Sequence, residues 1–379
     1  MIDPRQADSM HPMPISPAAS PTDRLALIEQ ARRAVLEARD PDAGPRLAPW
    51  VARSWRRCLQ LGLEPRREVS FDPVSSAQAQ RALEASQPLL RAAAPVIRSL
   101  ARAMAHTRYF AILTDAQGVV IDVNGPIDRH DPSVARIARV GVDLSERAVG
   151  TTAIGSALTD LQPVWLHRGE HFFDATSVYS CAGAPIWDPD GQCVGMLDLT
   201  GVNVAEQPAL KHLVSQSARS IENALALARP HHLLLRMNWP GRVLGDDSDG
   251  LIGLDADGNI TGLNRPAADM LGVAPGSPAG HASLHFAAPV ESLFDTAAVH
   301  GGALELPLWS GLRLQVLAQL DRHATRTSAA VAQAVPLKDL ETAAIRKAVD
   351  DARGNVQEAA RALGISRATI YRKLGARGR

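Results

Sequence analysis

Apolar residues fall at helical spacing near both ends of the chain and at strand spacing between them. Leu25, Leu27, Ile28, Ala31 and Val35 share one helical face, and Leu83, Leu89, Leu90, Val96, Ile97 and Leu100 continue the pattern. Residues 25–100 therefore read as a helical lead-in. Inside it, SWRRCLQLGLEP (Ser54–Pro65) offers Trp55, Cys58 and Leu59 for packing and turns Arg56 and Arg57 to solvent, which suits a structural role better than a chemical one. From Tyr109 to Asn124 two β-rich runs flank Asp115-Ala116-Gln117-Gly118 and predict a hairpin. Gly141–Leu158 reads as loop then helix, with Ser145 or Thr151 as its cap. Strands are expected over Pro163–Leu166, Cys181–Trp187 and Cys193–Leu199, with a turn at Asp188-Pro189-Asp190-Gly191, and a helix from Ala205 to about Ala228 closes this meander. A further hairpin, Gly253–Asn264, runs into a short helix at Pro266–Leu271, and Gly311–Leu320 reads as another strand.

The C-terminal stretch is helical again. Leu337, Leu340, Ala344, Ile345, Ala348, Val349 and Ala352 make one stripe, and Val356, Ala359, Ala360 and Leu363 make a second. Gly364 stops that helix, Ser366 suits the next N-cap, and Ile365 can staple against Ile370. The last helix, Arg367 to about Leu374, would bury Ile370 and Leu374 and face Arg367, Thr369, Tyr371, Arg372 and Lys373 outward, where they suit phosphates and base edges.

Composition adjusts this picture in three ways. At 379 residues the chain exceeds one ordinary core, so roughly two to four domains are expected. Lys plus Arg equals 40 and Asp plus Glu equals 40, so no global field draws the protein to nucleic acid or membrane. Any attraction to DNA is local: from Arg361 onward the charges are Arg361, Arg367, Arg372, Lys373, Arg377 and Arg379, with no Asp or Glu. Three cysteines, Cys58, Cys181 and Cys193, are too sparse for a disulfide framework and fit a reducing cytoplasm. No run of eighteen apolar residues and no apolar leader is present, and the polar, proline-rich residues 1–24 read as a disordered tail. A cytoplasmic protein off the membrane is expected.

Two resemblances extend these readings. Gly354-Asn355, Ala359-Ala360 and LGISRATIYRKL from Leu363 together resemble the Fis-type helix-turn-helix that ends many bacterial transcription regulators. That implies double-stranded DNA as partner and a homodimer, with Arg367, Thr369 and Arg372 at base edges and Ser366, Tyr371 and Lys373 at phosphates. Further upstream, SWRRCLQLGLEP, GVDLSERAVGTTAIGSAL, GEHFFD and CAGAPIWDPDGQCVGMLDLTG are similar to the sensor half of the acetoin-catabolism regulator family, whose members activate sigma-54 promoters. The resemblance implies a GAF domain over residues 101–229 that reads a small molecule of unknown identity. Glu146, Thr151, Thr152, His171 and Asp198 are the polar candidates to reach its cavity, with structural capping as the competing role. The hairpin and strand within 238–321 resemble a PAS domain, 322–336 reads as a linker, and 337–379 as the DNA-binding domain. The expected fold class is thus multidomain α+β: GAF and PAS-like domains with antiparallel sheets flanked by helices, plus an all-α helix-turn-helix.

The same family usually carries an ATPase between sensor and DNA module. Here no G-x-x-x-x-G-K-[ST] loop occurs anywhere, and the nearest run, GTTAIG at 150–155, continues as Ser156-Ala157. His167-Arg168-Gly169-Glu170-His171 has the H-x-x-E-H spacing of certain zinc proteases, but Pro163 and Gly169 argue against the helix that chemistry needs. No catalytic residue, metal or cofactor is assigned. The expectation is a metabolite-responsive DNA-binding regulator without its own ATPase; the alternative is an interaction protein that modulates full-length sigma-54 activators by mixed dimerisation. RNA polymerase or such a related regulator is the implied protein partner.

Overall fold

Alternation of apolar side chains along β1 (Tyr109–Asp115) feeds two cores at once. Successive residues of a strand point to opposite faces, so Phe110 and Ile112 enter one core while Tyr109, Ala111 and Leu113 enter another. A strand buried on both faces belongs inside a layered unit. The computed structural model, which describes residues 21–37, 47–299, 302–321, 345, 347–349, 351–352 and 355–374, shows that unit. β1 and β2 (Val120–Asn124) form the expected hairpin, followed by β3 (Val164–His167), β4 (Tyr179–Trp187) and β5 (Cys193–Val202) in one antiparallel sheet of order β2-β1-β5-β4-β3.

On one face lie α1 (Pro21–Arg32), its π-helical continuation Arg33–Glu37, α2 (Pro49–Gln60), and, further along the chain, α5 (Pro132–Ile137), α6 (Glu146–Val149) and α7 (Ala153–Asp160). On the other lie α4 (Gln87–Ala103), preceded by α3 (Ser76–Ala85), and α8 (Leu210–Ala228). The lead-in is therefore part of the first unit's core: Trp55 and Cys58 are fully buried against the sheet side that α7 also covers. Helix α1 starts at Pro21, so 21–24, expected in the disordered tail, are helical; residues 1–20 lie outside the described residues. Of the two expected caps, Ser145 sits at the N-cap position of α6 without a side-chain cap bond, whereas α7 is capped by Thr152, whose hydroxyl accepts from the Gly155 amide, rather than by Thr151.

A second antiparallel sheet, order β8-β7-β6-β10-β9, consists of β6 (Leu233–Asn238), β7 (Gly250–Leu254), β8 (Ile260–Leu263), β9 (Leu304–Pro307) and β10 (Arg313–Leu320), with α9 (Arg265–Leu271) and α10 (Val290–Val299) alongside. Its central strand, β6, begins at Leu233, before the 238 boundary expected from sequence. The apolar run Leu233-Leu234-Leu235 could not be told from a helix tail by periodicity; Pro230 was the usable signal, because it forces Arg229 out of the helical region and ends α8 there. Asn264 joins the two units. Its amide donates to Asn223 Oδ1 on α8 (2.7 Å) and to the Asp249 carbonyl, while its own Oδ1 accepts from Leu251 and from Ala267, capping α9.

The C-terminal module has α11 (Val356–Ala362), capped by the Asn355 side chain, and α12 (Arg367–Leu374). Gly364 takes the left-handed conformation at φ 64°, which a residue with a Cβ adopts at a cost. Ile345, Ala359, Ala360 and Ile370 are buried together, and Val356 and Ile365 pack on this cluster. Leu363, expected on the buried stripe, is 36% exposed because it is the C-cap of α11 rather than part of its packed face. The 322–336 linker and Leu337, Leu340 and Ala344 lie outside the described residues. Among the described residues no helix is long and apolar enough to cross a membrane.

The glycines of GTTAIG serve packing. A Cβ on Gly155 would sit 2.6 Å from the Glu146 nitrogen, so α6 and α7 approach closely only because that position lacks one. Gly155→Ala should destabilise the chain by about 1–3 kcal/mol through this backbone clash, read as a lowered midpoint in urea unfolding; an unchanged midpoint would disprove the close-packing role.

Candidate functional site

Helix α2 is locked onto α6 and α7 by polar groups around the buried Glu146 and Thr151. Arg57 donates to both Glu146 carboxylate oxygens (2.6 and 2.8 Å) and to Asp160 (3.1 Å), and Arg53 also donates to Asp160. Ser54 donates to Glu146 (2.6 Å), and its oxygen lies 2.7 Å from the Thr151 hydroxyl. A forked guanidinium on a carboxylate is the strong form of such a pair, and these hydrogen bonds hold the Arg57 pKa above its ordinary value. Arg57, expected in solvent, is thus half-buried in this lock. Glu146 and Thr151, two of the five candidate ligand residues, are occupied here.

The other three, Thr152, His171 and Asp198, line a cavity of about 30 Å³ on the α7 side of the sheet, together with Phe71, Ile112, Tyr179, Cys181 and Thr200 among others. Strand alternation puts Tyr179 and Cys181 of β4 and Asp198 and Thr200 of β5 on this face, and register sets Asp198 between Ile112 and Gly183. That volume is about the share of one water in the liquid.

Two side-chain atoms there lack hydrogen-bond partners: Asp198 Oδ1 and His171 Nε2, on residues each 1% exposed. The other Asp198 oxygen accepts from the Thr200 hydroxyl, whose oxygen is 3.3 Å from the Cys181 sulfur. Burial lifts the Asp198 carboxyl to about 7, against the Thr200 hydrogen bond, which lowers it. Burial likewise drops the His171 imidazole to about 4, so the ring is neutral near pH 7. Its Nδ1 sits 2.9 Å from the Arg168 carbonyl; a carbonyl only accepts, so Nδ1 carries the hydrogen and Nε2 is left as an acceptor. The cavity offers one acceptor and one carboxyl that donates when protonated. Buried polar atoms without partners are uncommon in native proteins and call for a reason.

His167 of the H-x-x-E-H run hydrogen-bonds through Nδ1 to the Ser180 hydroxyl, 2.7 Å away, and Glu170 accepts from the His167 amide. These groups form the turn Arg168–Glu170 that carries His171 to the cavity. In the C-terminal module Arg367 and Tyr371 are exposed, Thr369 is half-buried, and the Ser366 and Thr369 hydroxyls lie 2.9 Å apart, with Ser366 Oγ accepting from the Thr369 amide. The side chains of Arg372 and Lys373 lie outside the described residues.

Comparison with known proteins agrees with this division. Residues 20–223, more than half the chain, match the family described as MimR, N-terminal domain. The chain belongs to that family. Its match takes in α1 and ends within α8, so the lead-in and the first sheet are one family unit. Residues 336–376 of this MimR-family chain match the bacterial regulatory protein, Fis family. It is 32% identical over 239 residues to the acetoin catabolism regulatory protein of Cupriavidus necator, covering 60% of this chain and 36% of that one. It is 32% identical over 214 residues to the propane 2-monooxygenase operon transcriptional activator MimR of Mycolicibacterium goodii (54% and 34%). With the acetoin dehydrogenase operon transcriptional activator AcoR of Bacillus subtilis the identity is 28% over 185 residues (48% and 30%). The matched stretches span about a third of these relatives' lengths.

Tyr179, Cys181 and Thr200 were missing from the candidates, although period-two spacing from Asp198 would have found Thr200. The Asp198 carboxyl gives a pH test. Its folded pKa lies above the unfolded value of 3.8, so the folded state loses stability as pH rises from about 4 to about 7, with the full cost present above 7. Asp198→Asn cannot ionise and should stabilise the protein at pH 8, on the order of a few kcal/mol at most, and much less at pH 5. Melting temperatures at both pH values check this; an equal difference at each would contradict a buried, neutralised carboxyl.

Proposed function

We propose that this chain is a DNA-binding transcriptional regulator whose first unit is a GAF-type sensor for a small uncharged molecule. The observation that carries the DNA-binding part is the C-terminal module. Asn355 cap, Gly364 turn, Ser366 cap and the buried Ile370 hold α12 with Arg367 and Tyr371 exposed, the presentation a recognition helix needs in the major groove. The named roles of the relatives, operon activators and a catabolism regulator, support the same reading.

The cavity supports the sensing part. Its unpartnered Asp198 and His171 atoms suit a molecule with a hydroxyl or carbonyl, and an anionic ligand would meet no compensating cation at a neutral imidazole. The second sheet is read as a PAS-like relay, since Asn264 ties it to α8, which itself packs on the sensor sheet. The protein acts as a dimer on a two-fold site. Because the sequence holds no Walker-type loop, we read its action as working through occupancy of DNA, as repressor or with a polymerase it does not remodel, rather than through ATP hydrolysis.

Three measurements test this. At a site recovered by mapping bound DNA across the genome, Arg367→Ala should weaken binding by about 1–3 kcal/mol, roughly ten- to hundredfold in Kd; unchanged affinity would remove α12 as the reading helix. Short uncharged alcohols and ketones that occupy the cavity should raise the melting temperature in proportion to concentration, and Asp198→Asn should abolish the shift. ATP-dependent promoter opening by the purified protein alone would refute action without an ATPase.

A further inference from the structure

Apart from the half-buried Thr152, the residues that line the cavity are all buried, so a ligand larger than a water must displace part of its wall to enter. His171 and Thr176 enter that wall from one non-strand segment, 168–176, which lies between the cavity on its inner side and α1 on its outer side. Arg32 of α1 donates to three successive features of this segment, the carbonyls of Gly169 (2.8 Å), His171 and Phe172 (3.0 Å), and pairs with the Asp174 carboxylate. About two turns earlier on the same helix, Arg24 pairs with Glu170 (2.8 Å) and Glu206 (2.7 Å). The fit is tight at one point: a Cβ on Gly169 would lie 3.1 Å from Ile28 Cγ2 and 3.3 Å from Arg32 Cδ. Among the described residues of this N-terminal segment, Ile28, Ala31, Val35 and Leu36 are buried apolar anchors, and the two arginines supply its polar hold on the 168–176 turn.

We propose that α1 is a strap that governs access to the cavity: seated, Arg32 and Arg24 hold the His171 segment shut, and lifted, they release it to admit a ligand. This rests on reading the cavity as a ligand site and names how that site is regulated. The arrangement has the chemistry of a latch. One guanidinium satisfies three backbone carbonyls, so its departure removes three holds on the turn at once and leaves those from Trp55, Thr151 and Pro65, and charge-assisted bonds of this kind exceed neutral ones in strength. The segment's own structure is limited to two single 3-10 turns, Arg168–Glu170 and Asp174–Thr176, with Arg168 at φ 50°.

Cys181 makes access measurable without knowing the ligand, since its sulfur lines the cavity and is buried, whereas Cys58 is buried in α2 away from it. The full-length protein is treated with methyl methanethiosulfonate at fixed pH, and modification at each cysteine is followed by mass spectrometry. Arg32→Met should raise the rate at Cys181 about tenfold or more and leave Cys58 unchanged. Gly169→Ala, which keeps both arginines and wedges a methyl under the helix, should raise it too. Equal Cys181 rates in parent and both variants, or Cys58 rising in step with Cys181, would overturn the strap. The outcome is independent of ligand identity: if no alcohol or ketone shifts the melting temperature yet Cys181 opens selectively, the strap stands and the sensor reading falls.

Discussion

The buried contact between Arg57 and Glu146 organises the first unit. A bidentate guanidinium–carboxylate pair, joined by Ser54 and Thr151, fixes a lead-in helix to the two short helices that follow the first hairpin. Breaking one member of such a pair leaves the other charge buried and uncompensated, which is why pairs of this kind hold geometry more than they add net stability. Here the geometry matters downstream: α7 begins directly after Thr151, and Thr152, Ala153 and Ile154 at its start are cavity wall. The lock therefore sets one side of the cavity, and α1 sets the other.

Between them lies an unusual concentration of polar side chains on a sheet face that is otherwise apolar. Asp198 and Thr200 stand where alternation calls for core residues, next to Met196 and Val202 on the same face. Such a departure from a local rule is most economically explained by function, because every unsatisfied polar atom in a core destabilises it. The same logic distinguishes Asp198 from Glu146: both are buried carboxylates, but one has every oxygen engaged and the other does not.

Helix α8 physically links the two units. Val214, Ala218, Ile221 and Leu225 pack on the first sheet, and Asn223 on the same helix meets Asn264 of the second unit. A helix packed on one body and hydrogen-bonded to another transmits a shift of either as a rigid element.

Much of this was legible in the residues alone. Hairpins at 109–124 and 253–264 follow from turn chemistry, the helix-turn-helix from Gly364, Ser366 and Ile370, and the two conspicuous motifs around Arg57 and Glu146 from resemblance. What sequence could not decide was who meets whom. Glu146 and Asp198 look alike as polar candidates, yet one faces Arg57 and the other the cavity, and only the packing of α2 separates them. Central strand β6 was hidden because a run of leucines has no period of its own, and its place in the middle of the sheet depends on a partner, β10, some eighty residues later. Local elements are set by short-range sterics and periodicity, which the sequence carries; the lock, the cavity and the strap are set by contacts across roughly ninety to one hundred and forty residues, which only the tertiary structure supplies.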